Sequence, residues 1–200
     1  MIAIIDYDAG NIKSVEKAIQ YLGEEALVTR DRDEILRADG VILPGVGAFG
    51  DAMGKLRDYG LEEVIHECVD GGKPFLGICL GLQLLFERSE ESPGVKGLGV
   101  LEGEIVRLPS ESGLKIPHIG WNNLKFPHHG RLFEGVAEDS YVYFVHSYAA
   151  FGCEEYVTAQ ADYSIPLTAS VQKENVFGTQ FHPEKSGETG LVLLKNFCSM

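Results

Sequence analysis

The spacing of apolar positions along this chain changes about half-way. From Ile2 to Tyr7 they are nearly continuous, as in a short strand covered on both faces. Ile12, Val15, Ala18, Ile19 and Leu22 then recur at helical intervals that stop at Gly23. Glu25 to Thr29 and Gly40 to Leu43 read as strands, and Asp51 to Tyr59 and Leu61 to Asp70 as helices. Pro74 to Ile78 is another buried strand, running without a loop into an amphipathic helix that holds Leu80, Leu82, Leu84, Leu85 and Phe86. This alternation predicts parallel βαβ units. Beyond residue 100 strands follow one another: Val100 to Leu108, Lys115 to Phe126, Tyr141 to Ala149, Tyr156 to Ala161, Leu167 to Gln172 and Val176 to Phe181. Such runs pair antiparallel. Leu191, Leu194, Lys195 and Phe197 form a closing helix. The expected architecture is α/β: a mixed, mostly parallel central sheet flanked by helices, with additional antiparallel strands. No repeat or linker divides residues 1–200, so a single domain is expected.

Composition narrows the class. The 44% hydrophobic and 24% charged fractions are those of a soluble globular protein. A net charge of -13 argues against nucleic acid and anionic membrane, which both reward Lys and Arg. Cys68, Cys79, Cys153 and Cys198 form no C-x-x-C pair, so neither zinc spacing nor a disulfide framework is present. The first residues lack the marks of a signal peptide, and no apolar run reaches membrane-spanning length. A reduced, cytoplasmic protein is expected, with no metal and no cofactor.

The chemistry gathers in two segments. Gly77-Ile78-Cys79-Leu80-Gly81 is the thiol form of the nucleophile elbow, with Cys79 on a sharp strand-to-helix turn. Unpaired amides at a helix start favour the thiolate, and the Leu80 N–H points to the space above the sulfur, where an oxyanion would form. The alternative is that Cys79 is a small core residue. The second segment, Phe181-His182-Pro183-Glu184, carries a histidine to the end of a strand. Pro183 holds His182 extended, and Glu184 is close enough to orient its ring, giving the relation of nucleophile, base and orienter. His128-His129 reads as an exposed loop, and His66 as a partly buried helix residue.

Gly45-Val46-Gly47-Ala48-Phe49-Gly50 fits G-x-G-x-x-G, a dinucleotide fingerprint, but follows the third strand and lacks the acidic partner at a strand end. The preferred reading is that Val46 and Gly47 bring backbone amides opposite the elbow and, with Leu80, complete an oxyanion hole.

Leu43-Pro44-Gly45-Val46-Gly47, the elbow and Phe181-His182-Pro183-Glu184, in that order, resemble class I (triad) glutamine amidotransferases. Asp6-Tyr7-Asp8-Ala9-Gly10-Asn11, Pro117-His118-Ile119-Gly120-Trp121-Asn122, Tyr143-Phe144-Val145-His146-Ser147-Tyr148 and Lys185-Ser186-Gly187 are similar to the glutaminase subunits of imidazole glycerol phosphate synthases. Asp8 stands where those subunits usually have glycine. The resemblance implies a flavodoxin-like amidotransferase fold, glutamine as substrate, and Cys79, His182 and Glu184 as the triad. It implies that Gly47, Gln83, His146, Ser147 and Tyr148 hold glutamine. It also implies a heterodimer with a (β/α)8-barrel cyclase subunit, with Asn11, Trp121, Asn122 and Lys185 at or near the interface; for Trp121 packing in the core is the alternative. Two other readings remain: a glutaminase of the same class serving another synthase, and a non-catalytic nucleotide-binding module using the Gly45 loop.

Overall fold

A computed structural model describes residues 1–110 and 113–200. In chain order the elements are β1 (Ile2–Ile5), α1 (Ile12–Tyr21), β2 (Ala26–Thr29), α2 (Arg32–Arg37), β3 (Gly40–Leu43), α3 (Phe49–Asp58), α4 (Leu61–Asp70), β4 (Phe75–Ile78) and α5 (Leu80–Leu84). There follow β5 (Arg88–Ser89), β6 (Glu104–Arg107), β7 (His118–Asn123), β8 (Tyr141–His146), β9 (Tyr148–Phe151), β10 (Val157–Tyr163), β11 (Ile165–Lys173), β12 (Val176–Thr179) and α6 (Gly187–Cys198).

Seven strands form the central sheet in the order β10-β11-β12-β4-β3-β1-β2. The pairs from β12 to β2 are parallel, and β10-β11 and β11-β12 are antiparallel. The expected mixed, mostly parallel sheet is therefore present. Successive side chains of a strand face opposite ways, and here they feed two cores. Ala3, Ile5, Val41, Leu43 and Phe75 pack under α2, α3 and α4, while Ile2, Ile4, Ile42, Leu76 and Ile78 pack under α1, α6 and the β7–β8 pair.

Three details depart from the sequence reading. The segment Tyr141 to Ala149 is two strands, not one: β8 pairs with β7, the chain breaks at Ser147, and β9 pairs with β6. The short helix α2 was not expected, although Asp31 caps it by accepting from the Glu34 N–H at 3.0 Å. Finally, α5 is not amphipathic, since all five of its residues are buried. It is wedged between the sheet and the segment after it, whose Leu98 and Leu101 amides bond to Leu84 and Leu85.

Glycines allow that wedge. A Cβ on Gly81 would lie 1.8 Å from the Leu43 carbonyl oxygen, and one on Gly77 would lie 2.7 Å from the Gly81 carbonyl oxygen. The two glycines of the elbow let strand, turn and helix close on one another, so Cys79 is held at the edge of β4 in the middle of the sheet.

Candidate active site

Cys79 follows the last residue of β4 with φ 55° and ψ −107°, a sparsely populated positive-φ conformation that costs a non-glycine residue about 1–3 kcal/mol. Its N–H donates to the Thr179 carbonyl of β12 at 2.7 Å. That bond ties the elbow to the strand whose continuation carries His182. His182 is extended before Pro183, at φ −99° and ψ 98°, and its side chain is fully buried.

Nδ1 of His182 lies 2.7 Å from Oε1 of Glu184, whose side chain is also fully buried. A carboxylate accepts, so Nδ1 carries a hydrogen and Nε2 is the nitrogen that takes up or gives away the ring's second proton. Nε2 has no hydrogen-bond partner of good geometry, but the Cys79 sulfur acts on the ring. Burial pulls the imidazole pKa down; Cys79 and Glu184 together outweigh it and lift the value to about 9. Thiol, imidazole and carboxylate thus stand in the order the sequence suggested.

Cys79 opens on a cavity of about 270 Å³ lined by Val46, Gly47, Leu80, Gln83, His146, Ser147 and Tyr148, all singled out from sequence. The backbone of Leu80 departs from expectation. Its N–H does not point freely over the sulfur but donates to the Gly45 carbonyl at 3.3 Å, because the glycine loop closes down on the elbow. Tyr7 braces that loop from behind: its hydroxyl donates to the Pro44 carbonyl at 2.7 Å.

Three residues with contacts at the site were given no role by the sequence reading. Glu91 lines the cavity while its Oε2 accepts from the Phe49 N–H at 2.8 Å. Gln180, fully buried, directs Nε2 at the Cys79 sulfur (3.8 Å) and accepts from Gln83 at 3.0 Å. Gln180 lies in the strand expected from Val176 to Phe181, two residues before the histidine; nothing local distinguishes Glu91. His118 sits behind His146 at 3.0 Å.

The residues assigned to a partner face divide. Trp121 is 55% exposed, so the core alternative fails, and Lys185 is exposed as well. Asn122 is half-buried. Asn11 is half-buried and turned inward: its amide donates to Oε1 of Glu184 and comes within 3.3 Å of His182 Nδ1. Asparagine preceding a helix usually caps it, but here its side chain leaves α1 uncapped and serves the carboxylate instead. Asp8, at φ 60°, accepts from Arg30 at 2.7 Å and from the Tyr59 hydroxyl, which accommodates its carboxylate in the turn.

Residues 3–200 match the model of the family "Glutamine amidotransferase class-I". The chain is a class I glutamine amidotransferase. The amidotransferase is 56% identical over 197 residues to "Imidazole glycerol phosphate synthase subunit HisH" of Bacillus cereus (strain G9842), covering 98% of this chain and 93% of that protein. It is 52% identical to the protein of the same name from Methanothermobacter thermautotrophicus, covering 98% and 97%. Among solved structures, "Crystal structure of glutamine amidotransferase" superposes on the amidotransferase with a TM-score of 0.77 at 22% identity, covering 99% of this chain and all of that one. PurLQS from Thermotoga maritima gives 0.74 at 21%, covering 99% and 97%. At those identities the structures speak for the fold.

Proposed function

We propose that this chain is the glutaminase subunit of an imidazole glycerol phosphate synthase, acting through a Cys79–His182–Glu184 triad as one domain over residues 1–200. The observation that carries the reading is the buried thiol–imidazole–carboxylate series at the wall of a cavity sized for a small ligand. The proteins of that name that match over nearly the whole chain point to the same synthase.

In this mechanism the Cys79 sulfur attacks the side-chain amide carbon of glutamine, and His182 Nε2 takes the thiol proton. The imidazolium passes that proton to the leaving nitrogen, so ammonia departs and a γ-glutamyl thioester remains. Water then adds to the thioester with His182 as base, giving glutamate and restoring the thiol. Glu184 holds the ring with Nε2 toward the sulfur. Gly47, Gln83, His146, Ser147 and Tyr148 surround the substrate, and the Glu91 carboxylate suits its α-ammonium group. Leu80, Val46 and Gly47 supply the oxyanion hole once the Gly45 carbonyl releases the Leu80 N–H.

Ammonia in water near neutral pH is mostly ammonium and not nucleophilic. A closed path to a (β/α)8 cyclase in a cytoplasmic heterodimer preserves it, with Asn11, Trp121, Asn122 and Lys185 at or near the contact. The nucleotide-binding alternative fits the geometry less well. The amides at the start of α3 are already committed, Phe49 to Glu91 and Gly50 to the Ser92 hydroxyl at 2.9 Å.

The test is Cys79→Ala assayed with the cyclase. Glutamine-driven turnover is expected to vanish and ammonium-driven turnover to survive. Glutamine hydrolysis by the variant would remove Cys79 from the mechanism.

A further inference from the structure

His118 is a buried titratable residue that the mechanism above does not use. Its ring is sandwiched between Phe144 and Tyr163, with centroids 4.6 and 4.0 Å away and planes within about 25° of parallel. Nδ1 lies 3.0 Å from His146 Nε2, and Nε2 lies 3.4 Å from the Asn122 amide nitrogen. His146 Nδ1 in turn is 2.8 Å from the Tyr148 carbonyl oxygen.

This series admits one arrangement of hydrogens. A carbonyl only accepts, so His146 Nδ1 carries a hydrogen and its Nε2, on a neutral ring, accepts. His118 Nδ1 must then donate and its Nε2 accept. Asn122 meets that need, because its Oδ1 already accepts from the Asn123 N–H at 2.9 Å, which leaves the amide nitrogen as the donor. A second proton on His146 would set two N–H groups face to face at 3.0 Å. Burial agrees with neutral rings, holding His118 at about 4 and His146 at about 3.

On the cavity side the Tyr148 carbonyl also accepts from Gln83 Nε2 at 3.1 Å, and the same nitrogen donates to Gln180 Oε1 at 3.0 Å. Both Gln83 amide hydrogens are therefore used, and Oε1 remains as the acceptor of a side chain that lines the cavity. A flipped Gln83 would set its oxygen against two other oxygens.

We propose that His118 is a positioning residue for ligand binding: by fixing the hydrogen of His146 on Nδ1, it holds the Tyr148 carbonyl and, through it, the acceptor face of Gln83 toward the cavity. The ligand group recognised is an N–H donor, an ammonium or a carboxamide. The inference rests on the glutaminase reading for naming glutamine as that ligand. The same chain of bonds joins the cavity to Asn122, next to the exposed Trp121.

Two measurements test it. Imidazole ¹⁵N NMR of the full chain at pH 7 is expected to show both His118 and His146 as Nδ1–H tautomers; an Nε2–H ring or an imidazolium at either position overturns the proposal. In the complex with the cyclase, His118→Phe keeps the stacking but strands His146 Nε2. It is expected to raise KM for glutamine about tenfold, as the loss of one buried hydrogen bond implies, with kcat within about threefold. His118→Asn, whose amide nitrogen falls near the lost Nδ1, is expected to stay within about threefold of the parent KM. An unchanged KM in folded His118→Phe, or an equal loss in both variants, overturns the proposal. If the phenylalanine variant does not fold, the tautomers and the asparagine variant still decide. A parent complex with no glutamine-driven turnover would count against the glutaminase reading instead, and the NMR result would stand apart from it.

Discussion

At the residue scale the site depends on a few groups held against their ordinary preferences. Cys79 sits at a positive φ, and the side chains of His182 and Glu184 are buried away from solvent. The histidine makes this measurable. Its folded pKa of about 9 lies above the ordinary 6.5, so the folded state holds the imidazole proton more tightly than the unfolded chain does. The resulting stabilisation is complete below pH 6.5 and is lost as pH rises through about 9. At roughly 1.4 kcal/mol per pKa unit it is on the order of 3 kcal/mol. Denaturant unfolding at pH 6 and pH 10 should show that drop in the parent and a much smaller one in His182→Asn; equal drops would detach it from His182. Removing the orienter should cost less than removing the base. Glutamine-driven kcat is therefore expected to fall further in His182→Ala than in Glu184→Ala, and the reverse order would give Glu184 another role. The proposed triad was legible because each half is a local signal, a thiol between two glycines and a histidine locked before proline. Glu91 and the inward turn of Asn11 were not, since both arise from contacts between segments far apart in sequence.

At the scale of elements, the first half was legible almost strand by strand because parallel strands buried on both faces leave unbroken apolar runs. The second half was harder. Nothing in Tyr141 to Ala149 marks Ser147 as the place where the chain leaves one sheet for another, because strand-forming residues run on past it with no glycine or proline to signal a turn. The helix α2 has six residues, too few for periodicity, and only its Asp31 cap announced it. The elbow glycines are a case where the motif gave the residues and the structure gives the reason. Gly81→Ala would force a methyl to within 1.8 Å of the Leu43 carbonyl, backbone that cannot swing aside. We expect it to destabilise the fold by about 3 kcal/mol or more, by the cost of overpacking, whereas Gly54→Ala, with open space around it on α3, should be neutral or stabilising. Thermal unfolding of the two variants checks this, and equal melting temperatures would show that the elbow backbone has slack.

For the whole molecule, the outer face of the β7–β8 pair is the notable surface. Ile119, Trp121 and Tyr141 are all more than half exposed, and Trp121 lies across from Tyr143 with ring centroids 6.0 Å apart. Apolar side chains grouped in this way mark contact surfaces. The inner edge of the same pair reaches the chemistry, since the His182 N–H donates to the Tyr143 carbonyl at 3.0 Å. Trp121 is the sole tryptophan, so its fluorescence should shift to the blue when the cyclase docks. Trp121→Ala should weaken that association about tenfold or more, as loss of a buried aromatic anchor does. No spectral change on complex formation would place the interface elsewhere. The closed Leu80–Gly45 bond gives a companion expectation: glutamine hydrolysis by the isolated chain should be slower than in the complex, and equal rates would mean the oxyanion hole needs no partner. Strand order across the sheet was the part of the architecture least available from sequence, because it joins residues up to about a hundred positions apart.

That order bears on how the protein is made. The strand that delivers Cys79 has β3 on one side, synthesised about thirty-five residues earlier, and β12 on the other, synthesised about a hundred residues later. During translation Cys79 therefore waits beside an unfilled slot in the sheet, without His182 near it, until β12 and the residues after it have been made. A nascent or truncated product ending before residue 176 should be inert toward glutamine.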